Sequence, residues 1–73
     1  MTVDAVKNIL DFAEGGAIRS LIISGEQVWF SDGKNQGTCE YSLNYNDSIL
    51  QIRDQDNTVF VDVENINAIQ MAL

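Results

Sequence analysis

Residues 48–63 constrain the fold more than any other stretch, because two runs of alternating apolar and polar residues flank one polar centre. Alternation with a period of two is typical of β-strands that bury one face. The apolar positions are Leu50, Ile52, Val59, Val61 and Val63. The two runs therefore predict a β-hairpin with one face in the core.

Asp56-Asn57 lies between the two runs, and we take it as the tight loop of this hairpin. That loop pairs Ile52 with Val61 on the buried face. It also places Arg53 opposite Phe60 on the other face. A slip of one residue would turn polar side chains into the core, so we expect burial to set the register.

The N-terminal residues predict one amphipathic helix. Thr2 is a suitable N-cap, and Asp4 falls in the first turn, where the helix dipole favours a carboxylate. Lys7 and Asp11 stand four residues apart on the solvent side. We expect Gly15-Gly16 to end the helix. The apolar stripe comprises Val3, Val6, Ile9, Leu10 and Ala13.

Strand patterns occupy most of the remaining chain. Residues 17–24 are rich in isoleucine and partly apolar on both faces, which predicts a central strand. Gly25 stands at the first central position of a type II′ turn, so residues 27–31 should return as an antiparallel partner. A polar connection at 32–37 precedes a cleanly alternating strand at 38–45. After Val63 we expect a short helical turn at 64–66 and then a last strand.

These elements predict one domain over residues 1–73, of the α+β class and mostly β. An N-terminal helix is followed by a five- or six-stranded antiparallel sheet or small barrel. Residues 60–66, together with Ile69, resemble in their spacing the last two strands of Sm-like proteins. This resemblance implies a small barrel of the SH3-like or Sm-like kind. Asp62 and Val63 stand where that family has the Arg-Gly of its RNA pocket, so the resemblance implies the fold and not the RNA site.

The net charge of −7 disfavours nucleic-acid and anionic-membrane partners, because only four residues of the chain are basic. They are dispersed at Lys7, Arg19, Lys34 and Arg53. No apolar run reaches the length of a membrane span, and no basic segment leads into an apolar stretch at the N-terminus. We therefore expect a cytoplasmic protein that binds neither nucleic acid nor membrane directly.

The side chains that usually catalyse reactions or bind metals are scarce. The chain has no histidine and one cysteine, so it lacks the usual general base, zinc ligands and any intrachain disulfide. Cys39 falls on the apolar side of its strand, which predicts core packing. The acidic turn around Asp54 lacks the glycine and distal glutamate of a calcium loop. We expect no catalytic residue, no metal, no cofactor and no enzymatic activity.

Two aromatic side chains have no evident place in the core. Val28 and Phe30 share one face of their strand, which leaves Trp29 on the other, and Phe60 faces away from the valines of its own strand. Each aromatic either packs beneath the helix or belongs to an interface. We favour the interface for Trp29.

These observations predict a small acidic binding protein that acts through protein–protein interaction. Its carboxylates would suit a basic, nucleic-acid-handling partner that it regulates or inhibits. The interface candidates are Trp29, Phe60, Arg53, Asp32 and Lys34. The alternative is a homo-oligomeric small barrel that binds a polar ligand, such as a nucleotide, between subunits through amide side chains.

Overall fold

The computed structural model describes residues 1–13, 16–30, 40–54 and 57–72. Within these ranges the chain forms one helix and six antiparallel strands. In chain order they are α1 (Val3–Phe12), β1 (Ala17–Ile23), β2 (Glu26–Trp29), β3 (Glu40–Asn44), β4 (Ile49–Asp54), β5 (Asn57–Asp62) and β6 (Ile66–Ala72), with a 3₁₀ turn (Val63–Asn65) before β6. A helical turn followed by a last strand was predicted and is confirmed, with the turn one residue earlier than the predicted 64–66.

Helix α1 begins as the sequence predicts. Thr2 has extended backbone angles, and its hydroxyl accepts a hydrogen bond of 3.1 Å from the amide of Ala5. Lys7 and Asp11 form the predicted pair at 2.8 Å on the exposed side. The helix ends at Phe12. The prediction that Gly15-Gly16 ends the helix falls partly outside the described residues, because Gly15 is not among them.

The strands form two three-stranded sheets. The first sheet has the order β2-β1-β6 and the second has the order β3-β4-β5. The central position predicted for residues 17–24 is confirmed, since β1 pairs on both sides. The expectation of one sheet or a closed barrel is wrong for the described ranges, where the two sheets are not closed into a barrel. Each sheet instead turns its apolar face toward a shared core.

The β1–β2 hairpin is confirmed, but its turn differs from the prediction. Ile23 pairs with Glu26, so the central residues of the turn are Ser24 and Gly25. Both have positive φ, 51° and 84°, as a type I′ turn requires. The loop is one position earlier than the type II′ prediction, so Gly25 occupies the second central position, where its positive φ carries no Cβ strain.

The β4–β5 hairpin is also confirmed, and its register is shifted by two residues. Ile52 pairs with Val59, and Arg53 pairs with Thr58. The prediction that Ile52 pairs with Val61 and Arg53 with Phe60 is therefore wrong. Asn57 belongs to β5, whereas Asp56 lies outside the described residues. A shift of two positions leaves every side chain on the same face, so burial could not distinguish the two registers.

One core joins the helix and both sheets. It is formed by buried side chains at Val6, Leu10, Ile18, Leu21, Phe30, Leu50, Ile52, Val61, Val63 and Ile66. Strand β1 contributes Ile18 and Leu21, which are three residues apart, and a register shift against β6 between Ile18 and Ser20 allows both to face the same core. Among the described residues, every buried polar side-chain atom has a hydrogen-bond partner.

Candidate interaction surfaces

The outward face of the second sheet carries Phe60, whose side chain is 66% exposed. Cross-strand pairing places Gln51 beside Phe60 and Ser42 beside Gln51. These side chains line a shallow depression together with neighbours in the β3–β4 turn. Its lining residues are Ser42, Asn44, Asp47, Ile49, Gln51 and Phe60. We call this surface the Phe60 face.

A second depression continues the Phe60 face toward Arg53. Arg53 lies between Glu40 and Thr58 in the next row of paired residues. Glu40, Ser42, Gln51 and Arg53 contribute to the lining of this depression. The face thus combines one exposed aromatic ring with amide, hydroxyl and charged groups, the mixture typical of protein interfaces.

The outward face of the first sheet carries Trp29, whose side chain is 58% exposed. Two rows of paired residues form this face, and every one of them is uncharged: Trp29, Ser20 and Gln70 in one row, and Gln27, Ile22 and Ala68 in the other. We call this surface the Trp29 face. The chain as a whole is strongly negative, but the six side chains of the Trp29 face are uncharged, and one of them is an exposed aromatic ring.

Ser20 organises the polar part of the Trp29 face. Its hydroxyl donates to the Gln70 side-chain oxygen at 2.9 Å and accepts from the Gln27 amide nitrogen at 3.2 Å. Ser20 is 1% exposed, so these bonds satisfy a hydroxyl that water does not reach. The bonds hold two exposed amide side chains in fixed positions on either side of β1.

Trp29 and Phe60, the two aromatic interface candidates, are both exposed, so neither is packed beneath the helix. Phe30, the neighbour of Trp29, is buried in the core, while Val28 is 37% exposed near the sheet edge. Trp29 and Phe60 lie on different sheets, so pairing does not bring them together, whereas Arg53 and Phe60 share one face. Asp32 and Lys34 lie outside the described residues, as does Cys39.

Sequence reasoning missed two exposed aromatic residues. Phe12 is 84% exposed near the end of α1. Its spacing from Ala5 and Ile9 is helical and could have revealed a second apolar edge beside the main stripe. Tyr45 is also exposed, and it lies in the turn that follows β3.

Tyr45 connects the β3–β4 turn to the helix. Its hydroxyl donates a hydrogen bond to the carboxylate of Asp4. This hydrogen bond, together with the negative charge of Asp4, raises the pKa of the Tyr45 phenol. The pKa of Lys7 is raised in the same way by its hydrogen bond with Asp11 and by the charge of that carboxylate.

Because comparisons with known proteins show no match, the function of this chain has to be inferred from its own residues. The chain matches no family model, no curated protein and no solved structure. Within the described ranges, no cluster of three or more side chains is suited to hold a metal ion. The described helices include none with the length and apolarity needed to cross a membrane.

Proposed function

We propose that this chain is a small acidic, non-catalytic binding protein that acts through protein–protein interaction. The observation that carries the proposal is the exposed Phe60 ring on a strand face that also presents hydrogen-bonding groups and a charged pair of residues. Large aromatic side chains that can be fully desolvated supply much of the affinity of protein interfaces.

The partner that suits this protein best is a basic one, such as a protein that handles nucleic acid. The described carboxylates at Asp4, Asp11, Glu26, Glu40, Asp47, Asp62 and Glu64 are all exposed. Their field would speed encounter with a positive groove and compete with phosphates there. We infer that the protein regulates or inhibits such a partner by occupying that groove.

Calorimetry with a purified basic partner tests the proposal. Candidate partners come from affinity capture on the immobilised chain, followed by direct titration at several salt concentrations. Replacing Phe60 by alanine should weaken binding by about thirtyfold or more, the effect expected of a central aromatic residue. Phe12→Ala is the matched control, because it removes a ring that is more exposed than Phe60 from a different surface.

Affinity for the partner should also fall as salt rises, because the attraction between the two surfaces is screened. Partners that are neutral or acidic, with binding indifferent to salt, would contradict the basic-partner proposal. If Phe60→Ala binds the partner as tightly as the native chain does, the Phe60 face is not the binding surface.

A homo-oligomer that binds a polar ligand between subunits is the second candidate. The Trp29 face favours it, since an exposed indole beside two positioned amides offers stacking and hydrogen bonding without charge. Native mass spectrometry tests the second candidate, and a monomer without ligand would exclude it for the isolated protein.

A further inference from the structure

One end of the Phe60 face is negatively charged. Asp47, in the β3–β4 turn, lines the same depression as Phe60. Asp62 follows Phe60 by two residues on β5, so it lies on the same side of the sheet, roughly 7 Å along the strand. Both carboxylates are exposed. An exposed aromatic ring therefore has two carboxylates beside it, at the end of the face nearer the β3–β4 turn.

Hydrogen bonds hold these two carboxylates in place. The side-chain nitrogen of Asn44 donates to Asp47 Oδ2 at 3.0 Å, and the amide of Asp47 donates to Asn44 Oδ1 at 3.1 Å. Asp62 Oδ1 accepts from the amide of Glu64 at 3.0 Å. An ionised carboxylate has about four acceptor positions, so each can accept further donors from a ligand. Because the side chains are already restrained, a ligand has less entropy to overcome when it binds them.

Arg53, the basic residue of the second sheet, lies toward the other end of the Phe60 face. It pairs with Glu40, two rows of paired residues away from the row that contains Asp62. Two rows correspond to roughly 14 Å along the strands, whereas the screening length at physiological salt is about 8 Å. Within the described ranges no ion pair joins Arg53 to either carboxylate. The end of the face beside the ring therefore keeps its negative charge and attracts a cation.

We propose that the depression between Phe60 and Asp47 binds the guanidinium group of an arginine side chain presented by the basic partner. The guanidinium stacks on the Phe60 ring and donates hydrogen bonds to the Asp47 carboxylate. A cation over the face of an aromatic ring is attracted by the electron density of that face, and a carboxylate beside it supplies the opposite charge. This inference rests on the proposed function and adds the chemical group that the Phe60 face recognises.

The remaining groups of the depression favour arginine over lysine. Ser42 and Gln51 place a hydroxyl and an amide oxygen in the same row as the ring. A guanidinium spreads five donors in one plane, so it can stack on the ring and bond to several acceptors around its edge. The ammonium group of lysine is compact and strongly hydrated, so it stacks less well. A phosphate would be repelled by both carboxylates, which excludes nucleic acid as the occupant.

Titration with short capped peptides tests the inference without the partner. The probe is Gly-Arg-Gly, and its control is Gly-Lys-Gly, which carries the same charge. Nuclear magnetic resonance measures both affinities at low salt. The native chain should bind the arginine peptide at least about threefold more tightly, because only the guanidinium combines stacking with several hydrogen bonds. Equal affinities for the two peptides would overturn the proposal.

Variants of the chain locate the site. Asp47→Asn should weaken binding of the arginine peptide about fivefold, because it removes the charged acceptor beside the ring. Glu26→Gln is the matched control, since it removes the same charge from an exposed position on the other sheet. Phe60→Leu keeps an apolar side chain but removes the aromatic face, so it should abolish the preference for arginine. Equal effects of Asp47→Asn and Glu26→Gln would show that binding follows net charge alone and would refute the site.

The spectra of the native chain supply a measurement that needs no variant, in case Asp47→Asn does not fold. The δ-methylene protons of the peptide arginine should shift upfield, because they lie over the face of the Phe60 ring. The amide signals of Ser42, Gln51 and Phe60 should move with the same dissociation constant. Signals that move only on α1 or on the Trp29 face would contradict the assignment.

The peptide titrations also separate this inference from the proposed function. If both peptides bind equally while Phe60→Ala still weakens the binding of a basic partner, the arginine site is refuted and the proposed function stands. If the arginine peptide binds selectively at the Phe60 face but affinity capture recovers only neutral or acidic partners, the arginine site is supported and the basic-partner proposal fails.

Discussion

Trp29 and Phe30 are adjacent in sequence but have opposite environments, the first exposed and the second 3% exposed. Phe30→Ala should lower the free energy of unfolding by about 3–5 kcal/mol, because it leaves a cavity in the core. Trp29→Ala should lower it by about 1 kcal/mol or less. Urea unfolding of the two variants makes the comparison, and equal losses would show that the indole is part of the core.

The Tyr45–Asp4 hydrogen bond predicts a loss of stability at alkaline pH. The folded state raises the pKa of the phenol, so this contribution is complete below the ordinary tyrosine pKa of about 10 and is lost as pH rises through the higher folded-state value. Lys7, whose pKa is also raised, contributes in the same direction. Tyr45→Phe should therefore lose less stability than the native chain between about pH 8 and pH 11. Parallel urea titrations check this, and identical pH profiles would exclude a role for the hydrogen bond.

At the scale of elements, a substitution in the β1–β2 turn should raise the stability of the fold. Ser24 has a φ of 51°, a conformation that asparagine adopts more readily than serine. Ser24→Asn should raise the free energy of unfolding by about 0.5 kcal/mol. Gly25→Ala should lower it by about 1 kcal/mol through backbone strain alone, since an added Cβ would meet nothing within 4 Å. Thermal unfolding measures both changes, and a destabilised Ser24→Asn variant would contradict the type I′ turn.

The elements also show how far pattern reasoning extends. Local spacing was sufficient to predict helix α1, its Thr2 cap and both hairpins. The register of β4 against β5 does not follow, because the alternation of side chains is unchanged by a shift of two. That Ile52 pairs with Val59 and not with Val61 is therefore known only from the folded structure.

The whole molecule depends on a small core, so single truncations at its centre should be severe. Leu21 lies in the central strand of the first sheet and is fully buried. A domain of this length has a stability on the order of 4–11 kcal/mol, and Leu21→Ala should remove about 2–5 kcal/mol of it. Val28→Ala, at the exposed position paired with Leu21, is the control and should cost far less. Calorimetric unfolding compares them, and similar melting temperatures would show that the core does not lie between the sheets.

The sequence by itself determined the helix, the strands and the face to which most side chains point, because these depend on spacing along the chain. It also identified Trp29 and Phe60 as aromatics without an evident core position, and both are exposed. The helical spacing of Phe12 from Ala5 and Ile9 marks a second apolar edge of the helix, but only the structure shows that Phe12 is exposed.

Only the tertiary structure decided the division into two sheets, the hairpin register and the separation of Trp29 from Phe60. The first and the last depend on which strands pair across the chain, and the register depends on how two neighbouring strands align. Ser20 shows the same limit: a serine in an isoleucine-rich strand looks unremarkable until β2 and β6 bring Gln27 and Gln70 to its hydroxyl. Contacts between residues far apart in the chain have no local pattern, and so only the folded molecule specifies them.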